Sequence, residues 1–268
     1  MDDPHVLLTN DDGVDSPGLA ALRDGLADLG EVTVVAPADD QSAVGRAISD
    51  SVRVRDVDGG YAVEGTPADC VVAGLEVLAP DADVVVSGCN YGANIGAVTM
   101  GRSGTVSAAV EAAFFDVPAV AVSQYVHVPE DVTFGTKEFE RSAYDRAADL
   151  TAHLVANVGA NGTFEGYDLL NVNLPDPEGP LEGVKLTEPG EAHEMAATRD
   201  GDDVVLTDRM WERMGAGEAV DPPGTDRHAV VEGYASVTPL RATHATAAVD
   251  GLGDVLAAFG ADERAGDG

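Results

Sequence analysis

Near the start of the chain stands the stretch Val6-Leu7-Leu8-Thr9-Asn10-Asp11-Asp12-Gly13, in which an apolar run leads directly into two adjacent carboxylates and a glycine. The apolar run is typical of a short buried strand. Two neighbouring aspartates at the end of such a strand repel each other and lose hydration on burial. A positive group must therefore compensate them, and a divalent cation is the simplest candidate.

The residues that follow place this strand in a parallel sheet. Leu19, Leu22, Leu26 and Leu29 mark one face of a helix, and residues 32–37 form a second apolar strand. A strand, a helix and a strand with short connections form a right-handed crossover unit. We therefore predict an α/β fold, with a Rossmann-like parallel-sheet core, helices on both faces and a C-terminal extended β-hairpin arm.

The same alternation continues along the chain with one interruption. Apolar residues on either side of Gly59-Gly60 predict a small hairpin within residues 51–63. After it, the alternating pattern returns and supports one continuous parallel sheet. The remaining predicted elements are helices over residues 68–78, 105–115 and 139–158 and strands over residues 83–88, 119–123 and 169–175.

Beyond residue 183 the helical pattern stops. From there to residue 241 the sequence predicts extended strands and loops, with a turn at Asp200-Gly201. Such a hairpin has little core of its own, so it either folds back on the parent sheet or reaches another subunit. We predict a single domain over residues 1–259, with a core at 1–182, an arm and closing segment at 183–259 that ends in a helix over 247–259, and a disordered acidic tail at 260–268.

The composition is strongly acidic. The formal net charge of −33 comes from 48 acidic and 15 basic residues, which are dispersed rather than grouped in blocks. Dispersed acid predicts a solvated surface and resembles the composition of cytoplasmic proteins from salt-loving organisms. Such a surface repels polyanions, so long nucleic acid is excluded as an expected partner.

Other features favour a cytoplasmic protein. No apolar run approaches the roughly 20 residues that span a bilayer, and the acidic start lacks the basic region of a signal peptide. Cys70 and Cys89 lie in apolar segments without ligand spacing, which predicts buried free thiols. We expect a cytoplasmic location and no membrane partner.

Polar residues follow several of the predicted strands. Asp11 and Asp12 follow the first strand, and the second strand is followed by residues 37–42, which end in Ser42. The strand at 83–88 is followed by residues 88–96, which contain Asn90 and Asn94. Because the carboxyl ends of parallel strands open on one crevice, these residues are expected to meet. Carboxylate, hydroxyl and amide oxygens suit magnesium, manganese or calcium and suit zinc poorly.

The next loop, residues 101–106, opens a helix and predicts an anion site. Free backbone amides and the positive end of the helix dipole face any ligand there, and glycine permits close approach. The hydroxyls of Ser103 and Thr105 complete a phosphate cradle. A metal beside a phosphate site indicates phosphate-ester hydrolysis.

Each piece also has a purely structural interpretation. The Asp-Asp-Gly sequence is common in turns and helix caps, Asn90 and Asn94 suit positive φ, and Ser103 suits a helix cap. Convergence at one sheet edge is what favours a site. Two other functions remain open at this point, a non-catalytic nucleotide or phosphate-binding protein and a nucleotide-dependent transferase.

Several blocks in order resemble the SurE survival-protein family. They run from the residues around Asp11 and Asp12 to the strand that ends at Leu240, so the resemblance spans roughly residues 5–259. It includes the blocks Leu8-Thr9-Asn10-Asp11-Asp12-Gly13, Gly65-Thr66-Pro67-Ala68-Asp69-Cys70, Ser103-Gly104-Thr105, Asn171-Val172-Asn173-Leu174-Pro175 and Gly224-Thr225-Asp226.

This resemblance implies a function and a set of site residues. The family comprises metal-dependent phosphatases of nucleoside monophosphates, which implies a 5′-nucleotidase activity and leaves 3′ phosphates open as a second class of substrate. It also implies one divalent ion per subunit, magnesium or manganese, catalysis through Asp11 and Asp12, and a homodimer or homotetramer built through the C-terminal arm. The implied metal ligands are Asp11, Asp12, Ser42 and Asn90, and the implied phosphate-binding residues are Asn94, Ser103, Gly104 and Thr105.

Overall fold

The computed structural model describes residues 3–127, 139–157 and 165–243. Its centre is strand β1 (His5–Thr9), which pairs in parallel with β2 (Glu31–Pro37) on one side and with β5 (Val84–Tyr91) on the other. Helix α1 (Pro17–Leu26) joins β1 to β2 and begins after Ser16, whose hydroxyl accepts a hydrogen bond from the Leu19 amide. The predicted crossover unit is therefore confirmed.

Within the described residues, six further strands join the same sheet, and they are β3 (Arg53–Val57), β4 (Gly60–Glu64), β6 (Ala119–Gln124), β7 (Leu169–Leu174), β8 (Gly183–Leu186) and β11 (Tyr234–Leu240). The order of the nine strands is β3-β4-β2-β1-β5-β6-β7-β11-β8. The six strands from β4 to β7 run parallel, whereas β3 is antiparallel to β4 and β11 is antiparallel to β7. The predicted hairpin thus forms one edge of the sheet.

Helices cover both faces of this sheet, as predicted. Alternate residues of β1 point to opposite faces, so Leu8 belongs to one apolar core and Leu7 to the other. The first core lies under α1 and α5 (Asp145–Ala156), and the second lies under α2 (Pro67–Ala73) and α4 (Gly104–Phe114). None of the helices in the described ranges has both the length and the hydropathy needed to cross a bilayer.

The segment after residue 183 contains the predicted hairpin, but its description as strands and loops alone was wrong. Strands β9 (Met195–Asp200) and β10 (Asp203–Asp208) form a separate two-stranded antiparallel sheet. Two helices follow, α6 (Arg209–Gly215) and α7 (Asp226–Val231). Helices of 6 and 7 residues are too short to show a clear period and depend on tertiary packing.

A third short helix was also missed for the same reason. Helix α3 (Ala97–Met100) has only four residues and lies between the 88–96 loop and α4. The helix predicted at 247–259 and the tail predicted at 260–268 lie outside the described residues.

Candidate active site

Asp11 lies buried at the end of β1 against the first turn of α4. Its two carboxylate oxygens accept hydrogen bonds from the Thr105 hydroxyl at 2.5 Å and the Thr105 amide at 3.1 Å. Burial raises the pKa of Asp11, and the hydrogen bonds from Thr105 oppose that rise. A Cβ atom on Gly104 would lie 2.9 Å from the Asp11 side chain, so only glycine permits this approach.

Asp12 follows Asp11 in the loop after β1, and its side chain contacts the end of the neighbouring strand β5. One of its oxygens accepts a hydrogen bond from the Tyr91 amide at 2.9 Å. Burial, together with the charge of Asp11 and a smaller contribution from Asp40, raises the pKa of Asp12 to about 7. Two adjacent carboxylates whose pKa values are both raised, mainly by burial, form a site that a divalent cation would stabilise.

Ser42 lies in the loop that follows β2. The Gln41 amide in this loop donates a 2.7 Å hydrogen bond to the Asp11 carbonyl, which ties the loop to the end of β1. The Ser42 hydroxyl donates to Asp40 at 2.6 Å, and the Ser42 amide donates to the same oxygen at 2.8 Å. The Ser42 hydroxyl proton therefore points to Asp40, and the lone pairs of the hydroxyl oxygen stay available to a cation.

Asn90 lies at an irregularity of β5, where the pairing with β6 shifts register between Ser87 and Asn90. The peptide bond between Gly88 and Cys89 in this stretch is cis. The amide nitrogen of Asn90 donates to the carbonyl of Gly92. The Asn90 carbonyl oxygen is then the side-chain atom suited to a cation, because Mg²⁺ and Ca²⁺ take oxygen ligands.

Asn94 is buried and held by polar groups on the ends of neighbouring strands. Its side-chain amide donates to the Ser123 hydroxyl at 2.9 Å and to the Thr105 hydroxyl at 3.3 Å. Its backbone amide donates to the Asn173 side chain, and its carbonyl accepts from the Asn171 side chain, each at 2.8 Å. Asn94 thus uses its donors inside the protein and positions Thr105, which in turn holds Asp11.

Ser103 differs from Asn94 and Thr105, because its hydroxyl can still donate a hydrogen bond to a ligand. Its hydroxyl oxygen accepts a hydrogen bond from the Val106 amide at 3.1 Å and so caps α4. The hydroxyl proton is not used by this contact. The start of α4 therefore presents the Ser103 hydroxyl and the positive end of the helix dipole to an anion.

A cavity of about 690 Å³ joins these residues to a second, aromatic region. Five of the predicted site residues line it, and we call the part that they line its polar end: Asp11, Ser42, Asn90, Asn94 and Ser103. Asp12 is not among the lining residues. The other lining residues were not predicted from the sequence, and they include Arg102, Tyr125, His127 and Trp211. Tyr125 directly follows the end of β6, so the reasoning that predicted Asp11 applies to it as well.

The donor set fits a hard divalent cation. Two carboxylates, one hydroxyl and one amide carbonyl are all oxygen donors of the kind that magnesium and manganese prefer. In the part of the chain that the structure describes, no three His, Cys, Asp or Glu side chains form a group that could hold a metal ion. Cys70 and Cys89 are buried, and burial raises the pKa of both thiols.

Comparison with known proteins gives consistent matches. The family model described as Survival protein SurE matches residues 6–196. A protein of Haloarcula marismortui named 5′-nucleotidase SurE is 54% identical over 98% of each chain, and one of the same name from Methanosarcina acetivorans is 37% identical over 88% of this chain and 91% of that protein. The crystal structure of the SurE protein from Aquifex aeolicus superposes with a TM-score of 0.73 at 33% identity, covering 91% of this chain and 95% of that one.

Proposed function

Because this chain belongs to the SurE survival-protein family, we propose that it is a 5′-nucleotidase, which hydrolyses nucleoside monophosphates to nucleoside and inorganic phosphate. The paired carboxylates of Asp11 and Asp12 carry this proposal. Asp11 lines a cavity of about 690 Å³, which is within the usual size range of small-molecule sites, and Asp12 follows it in the chain. The start of α4, which suits a phosphate, lies directly against Asp11.

The proposed metal site consists of Asp11, Asp12, Ser42 and Asn90, with one magnesium or manganese ion per subunit. Its support is the all-oxygen donor set and the raised pKa values of the two aspartates. A bound divalent cation supplies charge stabilisation to a phosphoryl oxygen and acidifies a nearby water. Magnesium usually keeps several waters and binds proteins through one or two carboxylates, which suits a site with only four protein oxygens better than calcium does.

The remaining roles belong to the chain's own side chains. Ser103 and the backbone at Gly104 are proposed to bind the phosphate, while Thr105 and Asn94 hold Asp11 in place rather than contact the phosphate directly. Asp12 is suited either to ligate the cation or to accept a proton from the attacking water, since its pKa is about 7. Its contact with the Tyr91 amide orients it for both roles.

The hairpin β9–β10 is the proposed contact between subunits of a homodimer or homotetramer. It carries exposed Val204, Val205 and Leu206 on a sheet of only two strands, which is seldom stable alone in water. We also propose that residues 1–259 form a single domain and that the protein is located in the cytoplasm.

The test is release of inorganic phosphate from a panel of nucleoside monophosphates at high salt, with Mg²⁺, Mn²⁺ or a chelator. We expect release that the chelator abolishes, and a loss of roughly 1,000-fold or more in Asp11→Asn. The matched control is Asp56→Asn, an exposed aspartate in β3, far from the cavity lining and from the hairpin.

Folded protein that binds nucleotides but releases no phosphate with either metal would contradict the proposal and favour a nucleotide-binding protein. Transfer of the phosphoryl group to an acceptor other than water would favour a transferase.

A further inference from the structure

The aromatic region of the cavity lies next to the polar end but has no part in the proposed hydrolysis. Tyr125, His127 and Trp211 line it, and we refer to these three residues as the aromatic wall. They come from two distant parts of the chain, the segment after β6 and helix α6. The aromatic wall therefore exists only because α6 folds back onto the sheet edge.

Hydrogen bonds hold the segment after β6, and apolar packing holds α6 against it. The Tyr125 amide donates to the Leu174 carbonyl at 2.9 Å, and the His127 amide donates to Asp176 at 2.7 Å, so this segment is tied to the end of β7. Met214 of α6 packs in the same apolar cluster as Tyr125. A Cβ atom on Gly215 would lie 3.6 Å from the His127 ring, so the backbone of α6 passes close to His127.

The exposure of the wall points to a ligand. Trp211 is 36% exposed, and it is one of the residues that line the cavity. Tyr125 is 9% exposed, and burial raises the pKa of its hydroxyl, so it presents a neutral ring at neutral pH. Among the described lining residues Arg102 is the one arginine or lysine, so the wall offers stacking surface more than charge.

We propose that the aromatic wall binds the nucleobase of the substrate by stacking, while the phosphate lies at the polar end near Asp11. The inference rests on the proposed nucleotidase function and identifies where this chain recognises the nucleoside part of its substrate. Any nucleobase can stack on an aromatic side chain, because every base is planar and has a π-face. A volume of about 690 Å³ accommodates a whole nucleoside monophosphate.

Two consequences distinguish this subsite from a merely structural wall. Stacking tolerates every base but favours purines, because their larger rings cover more aromatic surface. A sugar phosphate that lacks a base gains nothing from the wall. Ribose 5-phosphate is therefore expected to have a KM roughly 10-fold or more above that of AMP.

The chain offers a direct probe, because Trp211 is its one tryptophan. Adenosine, which carries no phosphate and needs no metal, is titrated into the full-length protein in the presence of chelator while tryptophan fluorescence is recorded. We expect saturable quenching by adenosine, weaker quenching by uridine and none by ribose. Tyr125→Ala is expected to weaken adenosine binding roughly 10-fold, whereas Val77→Ala, an exposed residue outside the cavity, leaves it unchanged.

Kinetics provide the second readout. Trp211→Ala is expected to raise the KM for AMP roughly 10-fold with little change in its kcat and to leave ribose 5-phosphate kinetics unchanged, and Trp211→Phe restores most of the affinity. Fluorescence that does not respond to adenosine, or an equal effect of Trp211→Ala on both substrates, would overturn the subsite. Saturable quenching by adenosine without phosphate release from any substrate would support the subsite and contradict the nucleotidase function instead.

Discussion

At the scale of single residues, the two adjacent aspartates have different surroundings. Asp11 has both oxygens engaged by Thr105, whereas Asp12 receives one backbone hydrogen bond from Tyr91. The sequence predicted that both carboxylates lie at a strand end and that a cation must compensate them. It did not predict the contact between Asp11 and Thr105, because those residues are 94 positions apart and no local pattern records which helix start meets which strand end.

Thr105 holds Asp11 through its hydroxyl, and Thr105→Val removes that donor while preserving shape. We expect the variant to lose roughly 10-fold to 100-fold in kcat, since a buried carboxylate that loses a short hydrogen bond is misplaced and less stable by about 1.5–3 kcal/mol. Thr105→Ser keeps the hydroxyl and is the matched control. Steady-state phosphate release checks this, and equal activity in all three proteins would contradict a positioning role.

Asp12 links pH to the stability of the metal-free protein. Its pKa of about 7 lies above the unfolded value of 3.8, so the folded state binds a proton more tightly, and stability falls as pH rises from the unfolded pKa through the folded one. We expect Asp12→Asn, which can still accept from the Tyr91 amide, to stabilise the metal-free protein by roughly 2–4 kcal/mol at about pH 8 and to do little at about pH 4.

Thermal unfolding at both pH values checks this prediction, with and without Mn²⁺. Added Mn²⁺ is expected to stabilise the wild type at the higher pH and to stabilise Asp12→Asn much less. If the variant is no more stable than the wild type at the higher pH, the pKa of Asp12 is not raised in the folded state and the prediction fails.

At the scale of elements, the core strands and helices follow their sequence patterns closely, while the short helices do not. The predicted helix over 139–158 appears as α5 with a preceding 3₁₀ turn, and the strand at 83–88 continues to Tyr91. Helices α6 and α7 were missed because they are short and pack against the loop at residues 92–96, which we call the site loop. Ala93 and Ile95 of that loop pack in one apolar cluster with Tyr125, Met214 and Val230.

Helix α7 also holds the site loop through a buried carboxylate. Asp226 accepts hydrogen bonds from the amides of Gly96, Gly190 and Arg227 at 2.7, 2.9 and 2.7 Å. Asp226→Asn turns one acceptor into a donor that faces an amide. We expect a loss of about 1–3 kcal/mol in the free energy of unfolding and a higher KM for AMP, because Asn94 lies in the same loop.

Denaturant unfolding and steady-state kinetics check the role of Asp226, with Asp56→Asn at an exposed position of β3 as control. An Asp226→Asn protein with wild-type stability and KM would mean that α7 does not support the site.

At the scale of the whole molecule, charge is the dominant feature. A net charge of −33 makes the folded state repel itself, and salt screens that repulsion over a distance of about 10 Å at 0.1 M and 3 Å at 1 M. The unfolding temperature is therefore expected to rise steeply between about 0.1 M and 2 M KCl. Circular dichroism melts at several salt concentrations check this, and an unfolding temperature independent of salt would contradict it.

The proposed nucleotidase mechanism depends on one divalent cation bound between Asp11 and Asp12, beside the polar end of the cavity. Anomalous diffraction from a crystal soaked in Mn²⁺ locates this ion without reference to activity. We expect a single strong peak per chain between the two carboxylates, within reach of Ser42 and Asn90. A well-ordered crystal with no peak there, or with its main peak elsewhere, would contradict the proposed metal site.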